Sequence, residues 1–91
     1  MTDTLPLEGR LDLTAVAALH EALVARQGGD VTVDLTGVTQ MGALCLQCLI
    51  AAATAARARG HRLSLINIPD QVLSQCVAMG LSARAIEEGA K

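Results

Sequence analysis

Apolar residues along this chain change their spacing several times, and each change predicts an element. In "TLPLEGRLDL" (residues 4–13) leucines alternate with polar residues in a broken way, punctuated by Pro6 and Gly9. That pattern predicts two short strands or one bent edge hairpin, a setting that tolerates proline. Val16, Leu19 and Leu23 then recur at helical spacing, with His20, Glu21 and Arg26 towards the other side. The spacing predicts a helix over residues 15–27, capped by Thr14 and released by Gly28-Gly29.

The run "DVTVDL" (residues 30–35) is short and β-branched, the strongest strand signal in the chain. "TGVTQMG" follows and reads as a loop, and a helix is expected over residues 43–59. Its polar positions Gln47, Thr54, Arg57 and Arg59 leave most of its surface apolar, so it should be largely covered. Gly60 stops it. "RLSLINI" (residues 62–68) predicts another strand, with Leu63, Leu65 and Ile66 available to the core. Pro69 and Asp70 start a further helix carrying a stripe of Val72, Leu73, Cys76 and Val77, ended by Gly80. "LSARAIEEGA" predicts one last short helix.

Strands and helices therefore alternate with short connections. The order implies right-handed crossovers and a mostly parallel sheet carrying helices, an α/β fold in one domain over residues 1–91. With 16 alanines, 14 leucines, 7 valines and no aromatic residue, the core must come from small aliphatic side chains packed closely.

Charge narrows the function. The net charge is −2, and Arg57, Arg59 and Arg62 form the one basic cluster, too small for a nucleic-acid footprint. Without aromatics there is no base-stacking platform either. Residues 35–56 carry no charge and are long enough to span a bilayer, but glycine, threonine and glutamine interrupt them and alanine dominates. They read as a buried strand end and a buried helix, with no membrane insertion. The N-terminus shows no basic-then-apolar signal, which predicts a cytoplasmic protein.

Cys45 and Cys48 form a Cys-x-x-Cys pair opening a helix after a strand, where a redox dithiol would sit. A helix N-terminus lowers a thiol pKa and sharpens its nucleophilicity. Against this, cysteine is a small and often buried hydrophobe. Cys48 falls among Leu44, Leu49, Ala52 and Ala56, and no Gly-Pro turn holds the first sulfur out. The structural reading is preferred. Three cysteines, an odd number, fit a reducing compartment better than a disulfide scaffold. A metal centre would need further ligands, and Cys76, His20 and His61 lack site spacing. Ser64, Ser74 and Ser82 sit in no nucleophile elbow. No catalytic residue, metal or cofactor is expected.

From Val31 to Leu81 the chain resembles a STAS domain, the sulphate transporter and anti-sigma factor antagonist family. The resemblance rests on Asp34-Leu35, Val38, Met41, Leu46, Gly60, Leu63, Ile68-Pro69 and Gly80-Leu81, with "GRLDL" (residues 9–13) matching the family's Gly-x-Leu-Asp strand. It implies a four- or five-stranded mixed or mostly parallel sheet with three to four helices. It also implies a non-enzymatic adaptor in bacterial signalling, of the anti-sigma factor antagonist type. Where such antagonists carry the Asp-Ser phosphorylation switch, this chain has Gly42 and Ala43, neither of which accepts phosphate. Cys45 falls where the family commonly has glycine. Thr36 and Thr39 adjoin the site and could accept phosphate, although turn and cap chemistry explains them better.

The docking surface implied is Thr36, Thr39, Gln40, Met41, Gly42, Ala43, Leu44 and Gln47, with Ala43 as the degenerate phosphosite. The partner implied is a kinase-type ATPase, a histidine kinase or a chemotaxis component. An accessory STAS subunit of an ABC transport complex is the alternative, and a thiol oxidoreductase using Cys45 and Cys48 a more distant one. The short tail "SARAIEEGAK" leaves a sheet edge or helix face for self-association, so a homodimer is a further expectation.

Overall fold

A computed structural model of the chain describes residues 3–26 and 28–88. Three parallel strands, β1 (Asp3–Leu11), β2 (Val31–Met41) and β3 (Leu63–Ile66), form one sheet in the order β1-β2-β3. Four α-helices accompany them: α1 (Val16–Val24), α2 (Ala43–Ala58), α3 (Asp70–Ala78) and α4 (Ala83–Glu87). The α/β class and the parallel pairing are as the alternation predicts. Among the described residues the strand count is three, below the four or five expected.

That shortfall has its origin in residues 3–11, which form one strand rather than two or a hairpin. The chain does bend there. Register shifts fall between Pro6 and Glu8 and between Gly9 and Arg10, and Gly9 adopts φ +76°. Yet both halves stay on β2: Leu5 is opposite Val33, and Leu11 is opposite Met41. Two irregularities absorb what the sequence pattern presents as a break.

The same pairing changes residues 36–41, expected as a loop. They continue β2, because the second half of β1 supplies a hydrogen-bonding neighbour as far as Met41. Gly37 permits the approach: a Cβ there would lie 2.8 Å from the Glu8 Cβ. Arg10 Nε donates to Gln40 Oε1 across the pair at 3.2 Å.

The first helix also begins differently. Asp12, not Thr14, is the cap: its carboxylate accepts from the Thr14 N–H at 3.0 Å and the Thr14 hydroxyl at 2.6 Å. A single 3-10 turn at Leu13–Ala15 precedes α1, which closes at Val24, before the predicted end at Gln27, a residue outside those described. Of the stripe foreseen on α3, Val72 and Cys76 are buried, Leu73 is half-buried and Val77 faces solvent. Only the i, i+4 pair faces the core squarely. On β3, Leu63 is buried while Ile66, expected in the core, is exposed.

One core joins sheet and helices. Leu5, Val31, Val33, Leu35 and Leu63 meet Leu19 and Leu23 of α1, Leu46, Leu49 and Ala53 of α2, Val72 and Cys76 of α3, and Ile86 of α4. Alternation along the strands sends Pro6, Thr32, Asp34 and Ser64 to the opposite face, where they are exposed or half-buried. Parallel sheets are usually covered on both sides and built from continuous apolar runs. Here the alternating "VTVDL" leaves one face polar, with Asp34 satisfied by the Thr36 N–H and hydroxyl and by Asn67 Nδ2.

Both sheet edges are blunted. Asp3 donates its N–H to the Asp30 carbonyl, so by alternation Pro6 stands among the outward-facing residues of β1, and proline offers no donor there. On the other edge, Glu87 of α4 accepts the Leu65 N–H through Oε2 at 2.6 Å. Of the two openings expected, a sheet edge or a helix face, this edge has one of its outward amides taken by the chain's own last helix.

Candidate functional site

The site suggested by the sequence centres on the junction of β2 and α2. Gly42 is the N-cap of α2 and lies in extended backbone, with no side chain to accept from the first-turn N–H groups. Its own N–H donates to the Leu11 carbonyl at 2.8 Å, and a Cβ on it would sit 2.8 Å from that same oxygen. Close approach to β1 thus requires glycine here, where a capping residue would ordinarily stand.

Beyond it, Ala43, Leu44 and Gln47 are exposed, and Leu44 shows 49% of its surface to solvent. Thr36 and Thr39 are exposed on β2, and Gln40 is half-buried under its bond from Arg10. Met41 differs from what was expected. Its side chain is buried in the core, and its N–H donates to Gln75 Oε1 at 2.7 Å. It supports the surface from beneath and offers no side chain to a partner.

The remaining residues do not gather in a single hollow. Thr36 borders a cleft of about 260 Å³ with Pro6, Glu8 and Asp34 on the open side of the sheet. Leu44 and Gln47 instead line a groove of about 290 Å³ between α1 and α2, with His20, Cys48, Ala51 and Ala55 along it. Sequence reasoning missed this groove. The signal was present, since Leu44, Cys48, Ala51, Ala52 and Ala55 recur at helical spacing as one mostly small-residue stripe.

Electrostatics weigh against thiol chemistry. All three cysteines are free, with Cys45 and Cys76 buried and Cys48 half-buried. The Cys45 thiol donates to the Asp12 carbonyl at 3.4 Å. Burial pushes its pKa up, with smaller contributions from Cys48 and Asp12; burial alone raises Cys76. A redox nucleophile needs the reverse shift. At this helix start desolvation outweighs the dipole.

A larger hollow than either, about 630 Å³, lies elsewhere, between the end of α2, β3 and α4. Several of its charges are already engaged: Arg57 Nη1 donates to the Glu88 carbonyl, Arg84 pairs with the Glu88 carboxylate, and Glu87 holds Leu65, while Arg62 also lines it. His61 Nδ1 stands 3.9 Å from Asp30 Oδ1. Among the described residues no three His, Cys, Asp or Glu side chains come together as metal ligands would. Nor is any described helix long and apolar enough to cross a membrane.

A three-stranded parallel sheet with four helices among the described residues, and a glycine-alanine start to α2 at the C-terminal end of β2, defines a small α/β domain. The family model described as "Mlab, STAS domain" matches residues 1–87, and the chain belongs to the STAS domain family. No curated protein matches the sequence. STAS domains are generally binding or regulatory domains without catalysis, and they generally mediate protein–protein interactions.

Proposed function

We propose that this chain is a non-enzymatic adaptor that docks a signalling protein of the kinase-type ATPase class through the start of α2. The observation that carries the reading is the exposed, charge-free sequence Ala43-Leu44 and Gln47 next to an uncapped helix start. Small and apolar groups let a partner backbone approach closely, and the free N–H groups suit a partner carbonyl or carboxylate. Thr36, Thr39 and Gln40 extend the surface along β2. A bacterial, cytoplasmic setting in two-component or chemotaxis signalling accords with the family resemblance.

In phosphorylated relatives of this type a phosphate at the helix start repels the partner and costs desolvation. Ala43 removes that option, so docking here is constitutive. This one feature favours a second reading, an accessory subunit held permanently on the ATPase of an ABC transport complex. Both readings use the same surface.

The experiment is affinity capture from the source cytoplasm, read by mass spectrometry, with wild type and Ala43→Asp in parallel. A kinase-type ATPase or chemotaxis protein held by wild type and lost with Ala43→Asp supports the adaptor. Transporter subunits with the same dependence support the accessory subunit instead. Partners retained undiminished by Ala43→Asp and by Gln47→Asp would sink the surface altogether.

A further inference from the structure

We infer that the α1/α2 groove is a two-fold interface between copies of this chain. Its competition with a docking partner rests on the reading above; the self-association stands without it. The first ground is shape. An isologous contact joins one patch to itself, so the patch must hold both projections and hollows. Leu44 and Val24 project, 49% and 45% exposed, beside a floor of Cys48, Ala51, Ala52 and Ala55. A leucine of one copy can seat over the alanines of the other.

Charge is the second ground. A two-fold axis brings each charged group near its own counterpart, and like charges facing each other are unfavourable. Residues 35–56 carry no Asp, Glu, Lys or Arg, and among the described residues none lines the groove, where His20 is the one imidazole. This face can meet itself without that penalty. By contrast, the hollow beside α4 would set Arg62 and Arg84 against their copies.

The third ground is the state of the sheet. Self-pairing at an edge strand is the usual alternative route. On β1 it meets Pro6 and two register shifts, and on β3 it meets the Glu87 carboxylate on Leu65. That leaves the open side of the sheet, which carries Glu8 and Asp34, and the charge-free helical face.

Area sets the strength. The 16 residues of α2 span about 24 Å and the 9 of α1 about 14 Å, so two helices about 10 Å apart present on the order of 400 Å². Two such patches bury about 800 Å², below the usual range of specific interfaces, so association is weak and transient. Leu44 and Gln47 belong to both this face and the docking surface. A second copy and a partner therefore compete, and docking weakens as the chain itself becomes concentrated.

The test is analytical ultracentrifugation of the full chain from about 5 μM to about 1 mM, the range in which an interface of this size associates. A reversible monomer–dimer equilibrium is expected in wild type. Ala51→Glu should weaken it at least tenfold by opposing two carboxylates, and mixing Ala51→Glu with Ala51→Lys should restore a dimer. Val24→Glu makes the same test from α1, and circular dichroism with urea titration establishes that each variant is folded. A wild-type chain that stays monomeric throughout overturns the inference. So does a dimer that both folded glutamate variants leave intact. Ala51→Glu that loses the dimer while still capturing the partner separates this inference from the docking reading, which Ala43→Asp tests on its own.

Discussion

The Met41 N–H donates to Gln75 Oε1 over 2.7 Å, tying the last residue of β2 to α3 across 34 positions of sequence. It leaves the final amide of β2 satisfied in a partly buried setting immediately before the candidate docking helix. Gln75→Ala removes the acceptor and leaves that amide without its partner. A loss of about 1–3 kcal/mol is expected in urea unfolding, the usual penalty for orphaning a buried donor. An unchanged midpoint would mean that water replaces the glutamine without cost.

Gly42 is held by space rather than by its backbone angle, since its φ of −87° is open to any residue. An added Cβ meets the Leu11 carbonyl oxygen at 2.8 Å, a backbone atom that cannot swing away. Gly42→Ala should cost about 1–3 kcal/mol, as small-to-large changes in packed sites do. Gly28→Ala, with nothing within 4 Å of the added carbon, is the control and should be near neutral. Equal effects at the two positions would refute the packing argument.

Glu87 protects the Leu65 amide on the outer edge of β3. Hydrogen exchange read by NMR should show that amide exchanging faster in Glu87→Ala. Glu87→Gln keeps an acceptor oxygen and should lose less protection. If both variants match wild type, α4 covers the edge by sterics alone. Aggregation on concentration is the expected companion of the alanine variant, because an unpaired edge is a template for another strand.

Acid should weaken the fold through Asp12 and Asp34. The hydroxyl hydrogen bond from Thr14 chiefly lowers the first pKa, and that from Thr36 the second, from an ordinary value of 3.8. Because each folded value lies below the unfolded one, the stabilisation is complete above 3.8 and is lost as pH falls through the depressed values. Both groups are solvent-exposed, so the change is modest. Urea midpoints measured across that window should fall in wild type and fall less in the double variant Thr14→Val, Thr36→Val. Parallel curves would assign the acid response to other carboxylates.

Thiol labelling distinguishes the cysteines. Cys48 is half-buried on the groove, whereas Cys45 and Cys76 are buried with raised pKa values. Iodoacetamide at mildly alkaline pH should modify Cys48 first, and the other two at rates that rise with denaturant. Fast labelling of Cys45 in the native protein would revive the dithiol reading.

Much of this architecture was legible from spacing alone. The α2 boundaries, the β3 position, the Pro69 start of α3 and the parallel α/β order all follow from local periodicity and from proline and glycine punctuation. Those signals act within a few residues, and no long-range contact had to be known to read them. The missing hydroxyl at position 43 was equally plain, because a residue's chemistry does not depend on its fold.

Contacts between distant residues were decided only in three dimensions. Residues 36–41 look like a loop until β1 lies beside them, and then their backbone groups find strand partners. Met41 reads as a surface residue until α3 closes beneath it and Gln75 takes its amide. The α1/α2 groove exists because two helices pack side by side, and the β3 edge is closed by a carboxylate 22 positions away. Local periodicity determined which segments became helix or strand. Tertiary packing decided which backbone groups and side chains were left for solvent or a partner, since burial and hydrogen bonding depend on neighbours that the linear order does not reveal.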